Sequence, residues 1–290
     1  MYSSIAEILE QSETGKMEFW EVVMEADMES RDVSRDESRR QMKEMLDAMK
    51  EADKSYEGGR KSASGLSGGD GRLLEQYNRT GKNLCGGFLG KVMERAVKMG
   101  ESNACMKRIV AAPTAGSCGV IPAVLLSYEE YANVPEEELI NALYVAAGVG
   151  KIVGENASIA GASGGCQAEI GTASAMAAGA LAYLQGGDNT MIANAMALAL
   201  KNMLGLACDP VGGLVEVPCV KRNSHGAVNA VASAQMALAG VKSAISPDDV
   251  IDSMRRIGNE MPASIKETGK GGLATSESAQ RICGRMARNV

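Results

Sequence analysis

Between Tyr144 and Gly240 the chain places only nine charged residues in ninety-seven. A stretch so poor in charge must be shielded on several sides, either by lipid or by other parts of a packed interior. An uncharged run within it, Ile170 to Gly187, is rich in Gly and Ala and falls short of the ~20 apolar residues that a membrane span needs. It reads as a buried helix, and no membrane partner is expected. Composition then narrows the kind of interior. Aromatics make up 3% of the chain, against 34 Gly and 18 Met. Sheets favour β-branched and aromatic residues, whereas Ala and Met favour helices. The expected class is mainly α: a compact multi-helix domain with Ala/Gly-rich buried helices.

With 290 residues, one domain overall is expected. Residues 1–54 carry 15 acids and 8 bases and contain two helical stripes, Phe19, Trp20, Val23, Met24 and Met42, Met45, Leu46, Met49. They read as acidic amphipathic helices with a solvated face. Residues 55–72 follow as a Gly/Ser-rich segment, with six glycines between Glu57 and Arg72. Composition fits either a flexible linker or a mobile substrate loop whose amides can approach an anion. Residues 73–290 form the remaining helical domain, with its centre from Ala112 to Gly240. Helix starts are signalled by Pro135 with Glu136–Glu138, by Asp188, and by Ser246-Pro247-Asp248-Asp249. The net charge is −6 and no basic cluster is interleaved with aromatics, so no nucleic acid partner is expected. The N-terminal residues show no apolar stretch of the signal-peptide kind, and a cytoplasmic location is expected.

Seven scattered cysteines do not read as a disulfide framework. Cys166, Cys208 and Cys219 each occupy a Gly- or Pro-rich break between apolar segments. Their spacings of 42 and 11 match neither a zinc knuckle nor a ferredoxin run. Buried inert thiols and a metal site both remain open on spacing alone. Cys85, Cys105 and Cys118 read as packing residues. The turn around Thr114, Ala115, Gly116 and Ser117 leads into a helix, where free backbone donors suit a carboxylate or phosphate; a plain helix–helix turn is the alternative. The segment Gly154 to Gly165 adds Asn156, Ser158 and Ser163, polar groups that are costly inside an apolar region unless satisfied. His225 is the chain's one histidine and lies six residues after Cys219.

The ordered motifs SGLSGGDG, AAPTAGSCGVIP, GENASIAGASGGCQAEIG, ACDPVGGLVEVPC, RNSHGAVNA and KETGKGGLA closely resemble the α chain of the iron–sulfur L-serine dehydratases, or L-serine ammonia-lyases. The resemblance spans about residues 60 to 275. It implies a mostly helical α chain holding an oxygen-sensitive [4Fe–4S] cluster on Cys166, Cys208 and Cys219, with a separate β subunit completing the enzyme. It implies L-serine as substrate and no pyridoxal phosphate. Three ligands on a four-iron cluster leave one iron open to act as a Lewis acid. Ser67, Thr114, Ala115, Gly116, Ser117, Asn156 and Ser163 are then the expected substrate-binding residues. His225 is the best candidate base within this chain, although the β subunit is an alternative source. Some relatives end in a cysteine-bearing tail, and Cys283 is its counterpart here, but seven residues follow it. The competing expectations are a same-cluster hydro-lyase acting on threonine or another hydroxy acid, and a non-catalytic helical scaffold.

Overall fold

Side-chain caps start six of the thirteen α-helices among the described residues. Ser4 accepts from the Glu7 amide to open α1 (Ile5–Gly15), a capping box between Glu18 and Glu21 opens α2 (Phe19–Arg31), and Ser34 opens α3 (Arg35–Lys54). After the Gly/Ser-rich segment come α4 (Asp70–Arg79), α5 (Gly86–Ala104) and α6 (Val120–Ala132). Pro135 and three glutamates set the start of α7 (Glu136–Asn156), where the acids meet the positive end of the helix dipole. A four-residue α8 (Gly161–Gly164) precedes α9 (Thr172–Leu184). Asp188 then caps α10 (Asn189–Lys201) by accepting from the Met191 amide. The chain continues through α11 (Cys219–Leu238), α12 (Pro247–Glu260), which Ser246 caps, and α13 (Glu277–Met286). The computed structural model describes residues 1–287; among them there are thirteen α-helices and no strand beyond one isolated bridge between Cys208 and Lys266. The mainly α expectation is met.

The uncharged run forms α9, buried at every position from Thr172 to Ala182. It packs against α6, α7, α10 and α11, which explains why its sequence lacks a polar face. Small residues permit this closeness. A β-carbon at Gly226 of α11 would lie 2.8 Å from Ile170 Cγ2, and Ser174 of α9 donates to the Gly226 carbonyl at 2.8 Å. No helix is long and apolar enough to cross a membrane among the described residues.

Residues 1–54 form three helices. Phe19, Val23, Met24, Leu46 and Met49 are buried as their spacing predicts, whereas Met45 remains exposed. Part of the charged face pairs with the rest of the molecule: Lys43 reaches Glu136 and Lys50 reaches Glu129, both at 2.7 Å. The non-helical segments that follow α5, α7 and α10 pack on one another and on the start of α11. These breaks bring the motif residues together.

Candidate functional site

Three thiols converge from three breaks. Cys166 directly precedes a π-helical turn, Gln167–Gly171; Cys208 lies in the extended segment after α10; Cys219 is the first residue of α11. All three are buried. The neighbouring Cys208 thiol and then Arg222 hold Cys166 below the usual thiol range, while Cys166 and burial push Cys208 up. Cys219 is raised to about 12, by burial first and then by the charges of Cys166 and Glu169. Arg222 lies three residues after Cys219, donates to Asp209 Oδ1 at 2.9 Å and to the Ala207 carbonyl at 2.7 Å, and places a cation beside the sulfurs. Among the described residues, no three His, Cys, Asp or Glu side chains are gathered tightly enough to hold a single metal ion. The three sulfurs are nevertheless close enough to perturb one another's ionisation. An all-sulfur, buried donor set with a neighbouring guanidinium suits a polynuclear iron–sulfur group, which needs thiolates and benefits from compensating charge.

Glu169 occupies the middle of the π turn and reaches both sides of the site. Its Oε1 accepts from Thr114 Oγ1 at 2.7 Å, and its Oε2 lies 3.9 Å from Cys208 Sγ. Burial raises its pKa, opposed by the Thr114 bond. Gly161 is needed at this point, because a β-carbon there would come within 2.7 Å of Glu169 Oε2 and 3.0 Å of Cys208 Sγ. The Thr114–Ser117 turn is fixed from α11 as well: Asn223 accepts from the Gly119 amide and donates to the Gly116 carbonyl, both at 2.8 Å. The KETGKGGLA segment closes a further side. Cys208 donates its amide to the Ile265 carbonyl at 2.8 Å and accepts from the Glu267 amide at 2.7 Å; Leu273 donates to Asp209 at 2.8 Å.

The Gly/Ser-rich segment is tied down by two carboxylates. Glu101 of α5 accepts from the amides of Gly68, Asp70 and Gly71 and from the Tyr56 hydroxyl, at 2.6 to 3.1 Å. Glu216, three residues before Cys219, accepts from Ser62 Oγ at 2.6 Å and Ser64 Oγ at 2.8 Å. Ser67 is 1% exposed, and its hydroxyl has no hydrogen-bond partner among the described residues. Lys221 and Asp70 form an ion pair that joins this segment to the first turn of α11.

Not every expected residue meets the thiols. Thr114 and Gly116 lie against Glu169, and Ala115 and Ser117 belong to the same turn. Asn156 ends α7 and gives its amide to the Ser3 carbonyl at 2.7 Å, toward the N-terminus. Ser163 is exposed and lines a separate cavity of about 80 Å³ with Gln167 and Met254. His225 is on an exposed face of α11, with Nδ1 3.1 Å from the Lys221 carbonyl. A carbonyl only accepts, so Nδ1 carries the proton and Nε2 is the basic nitrogen of the neutral ring. Cys283 sits beside the Val211–Gly213 turn, where a β-carbon at Gly212 would be 3.6 Å from its sulfur. Cys105 and Cys118 are buried and Cys85 is exposed. Sequence reasoning passed over Glu169, Arg222, Glu101 and Glu216. Glu169 did leave a signal, being the only charged residue between Glu155 and Asp188.

The family model for the serine dehydratase alpha chain matches residues 14–274. The chain belongs to this family. It is 51% identical over 224 residues to the probable L-serine dehydratase alpha chain of Bacillus subtilis (strain 168), covering 77% of this chain and 75% of that protein. It is 45% identical over 207 residues to the L-serine dehydratase alpha chain of Peptoniphilus asaccharolyticus, covering 71% of each. An L-serine dehydratase of Escherichia coli (strain K12) is 44% identical over 181 residues, which are 62% of this chain and 40% of that longer protein. All the segments gathered at the thiols, from Thr114 to Leu273, lie within the matched alpha-chain region.

Proposed function

We propose that this chain is the α subunit of an iron–sulfur L-serine dehydratase that converts L-serine to pyruvate and ammonia with a β subunit. The observation that carries the reading is the convergence of Cys166, Cys208 and Cys219 on Arg222 and Glu169, beside the Thr114–Ser117 turn. In this reading the three cysteines hold a [4Fe–4S] cluster. When bound, it supplies a Lewis acid with an exchangeable position that makes the serine hydroxyl a better leaving group.

The chain's own residues supply orientation and proton handling. The Thr114–Ser117 turn holds the serine carboxylate with its backbone amides, and Glu169 and Asn223 fix that turn. Ser67, in the Gly/Ser-rich segment, offers a buried hydroxyl with no hydrogen-bond partner among the described residues. His225 is the one imidazole this chain offers to take the α-carbon proton, at Nε2 since Nδ1 is committed to the Lys221 carbonyl, and a base from the β subunit is the alternative. Loss of water gives aminoacrylate, which tautomerises to the imine and hydrolyses to pyruvate and ammonia. Pyridoxal phosphate has no part in this scheme.

The test is activity of the anaerobically reconstituted chain with its β subunit, before and after brief exposure to air. A lyase cluster with one exchangeable iron loses activity early in air and recovers with ferrous iron and a thiol reductant, without added sulfide. Recovery that requires sulfide, or an active enzyme containing no iron, would overturn the reading.

A further inference from the structure

The Gly/Ser-rich segment and the Cys219 turn are 154 residues apart in sequence between Ser62 and Glu216, yet one carboxylate joins them. Glu216 is 6% exposed and stands in the short link between the Val211–Gly213 turn and α11. Its backbone carbonyl accepts from the Val220 amide at 3.0 Å, so it also forms part of the first turn of α11. Its two side-chain oxygens take the hydroxyls of Ser62 and Ser64, one each. These serines in turn shape the segment. Ser62 Oγ accepts from the Ser67 amide at 3.2 Å, Ser64 Oγ accepts from the Leu66 amide at 3.0 Å, and the Ser62 amide donates to the Ser67 carbonyl at 3.0 Å. The result is a tight loop from Ser62 to Ser67, whose last residue holds a buried hydroxyl with no partner among the described residues.

We infer that Glu216 is a positioning residue: it fixes the Ser62–Ser67 loop, and with it Ser67, relative to Cys219. The inference rests on the dehydratase reading for its consequence in catalysis, but the latch itself is tested independently of activity. A charged acceptor buried against two hydroxyls is strongly held, and both serines spend their single proton on it. Without that acceptor the hydroxyls reorient, and the amides of Leu66 and Ser67 lose partners of fixed direction. Glu101 continues to hold the amides of Gly68, Asp70 and Gly71, so the release is confined to the serine half of the segment.

The experiment compares wild type, Glu216→Ala and Glu216→Gln as cluster-loaded complexes with the β subunit, by hydrogen exchange of the peptide covering residues 60–72 and by steady-state kinetics with L-serine. Glu216→Ala is expected to exchange at Leu66 and Ser67 at least about tenfold faster than wild type, with iron and sulfide content preserved. It should raise KM by about tenfold or more, with a smaller change in kcat, because ground-state placement is lost. Glu216→Gln keeps an acceptor for one serine and a donor for the other, and should recover most of both properties. Unchanged exchange in Glu216→Ala would overturn the latch, whatever the enzyme does. Faster exchange with unaltered KM would overturn its link to the site. If Glu216→Ala fails to fold, Ser64→Ala removes one donor to the same carboxylate and is read against the same two outcomes. Wild type that makes no pyruvate from L-serine would refute the dehydratase reading and leave the exchange result standing.

Discussion

A methyl group at Gly161 has no room. Its carbon would lie 2.7 Å from Glu169 Oε2 and 3.0 Å from Cys208 Sγ, so Gly161→Ala must displace a carboxylate or a sulfur. Overpacking of this kind costs about 1–3 kcal/mol, a modest fall in melting temperature. Activity should fall far more, by about a hundredfold, because the displaced groups are those that orient the site. Circular dichroism melting and pyruvate formation, measured on the same preparation, separate the two effects; equal, small losses in both would show that the Gly161 contact is only packing. Cys85→Ser, at an exposed position, should leave both unchanged. At this scale the sequence was legible where chemistry left a local mark. Cysteines stood out at breaks between apolar segments, and the structure brings those breaks near one another. Asn156 and Ser163 carry equally suggestive polar groups, but their geometry turns one to the N-terminus and the other to a separate cavity. No local pattern encodes that choice. The partners of Glu101 and Glu216 are likewise set by pairings across 30 to 154 residues, which spacing rules do not reach.

At the scale of elements, one buried ion cluster clamps α4 to α5. Glu94 of α5 is 2% exposed, accepts from Lys98 and Lys91 at 2.7 and 2.9 Å, and is joined by Asn78 of α4 at 3.2 Å. Lys98 also reaches Glu75 of α4 at 3.1 Å. Burial disfavours the ionised Glu94, yet the bonds from Lys98 and Lys91 outweigh it and hold the carboxyl below its ordinary value of 4.5. The folded state therefore binds this proton less readily than the unfolded one. The stabilisation is present above about pH 4.5 and is lost as pH falls through the lower folded value. Lys98, also opposed by burial, is held above 10.5 by Glu94 and Glu75, so its share is present below that pH and is lost as pH rises through the higher folded value. Glu94→Gln should cost about 3 kcal/mol at neutral pH, and the difference from wild type should shrink below about pH 4. A melting-temperature gap that persists unchanged in acid would show that the charge is not its source. Helix ends were the most legible elements. Asp188 and Ser246 cap α10 and α12 as their positions indicate, and Asp188→Ala should cost about 1 kcal/mol in denaturant unfolding. The acidic N-terminal region was read as two amphipathic stripes, but α1 comes as a third helix. Its docking is tertiary: Asp248 of α12 accepts from the Ile5 and Ala6 amides at 2.8 and 3.0 Å.

For the molecule as a whole, a mainly α interior followed from the scarcity of charge and aromatics, because helices lined with Ala and Gly pack closely without large filler. The same packing delivers three distant breaks to one place, which is why Thr114, Glu169, Cys208 and Asp209, far apart in sequence, are joined there while Asn156 and Ser163 are not. His225 faces solvent in this chain, and in the proposed reaction, which excludes water, it would need cover from elsewhere. The reconstituted chain alone should therefore turn over L-serine at under about a hundredth of the rate of its complex with the β subunit. Pyruvate formation at full rate without a partner would show that the site is complete here. The central claim is that Cys166, Cys208 and Cys219 together hold a cluster, and the most direct measurement is iron and acid-labile sulfide per chain after anaerobic reconstitution, for wild type and Cys208→Ser side by side. The account predicts about four of each in wild type and a near-complete loss in Cys208→Ser, with the helical circular dichroism spectrum retained. Full iron and sulfide in Cys208→Ser would contradict it.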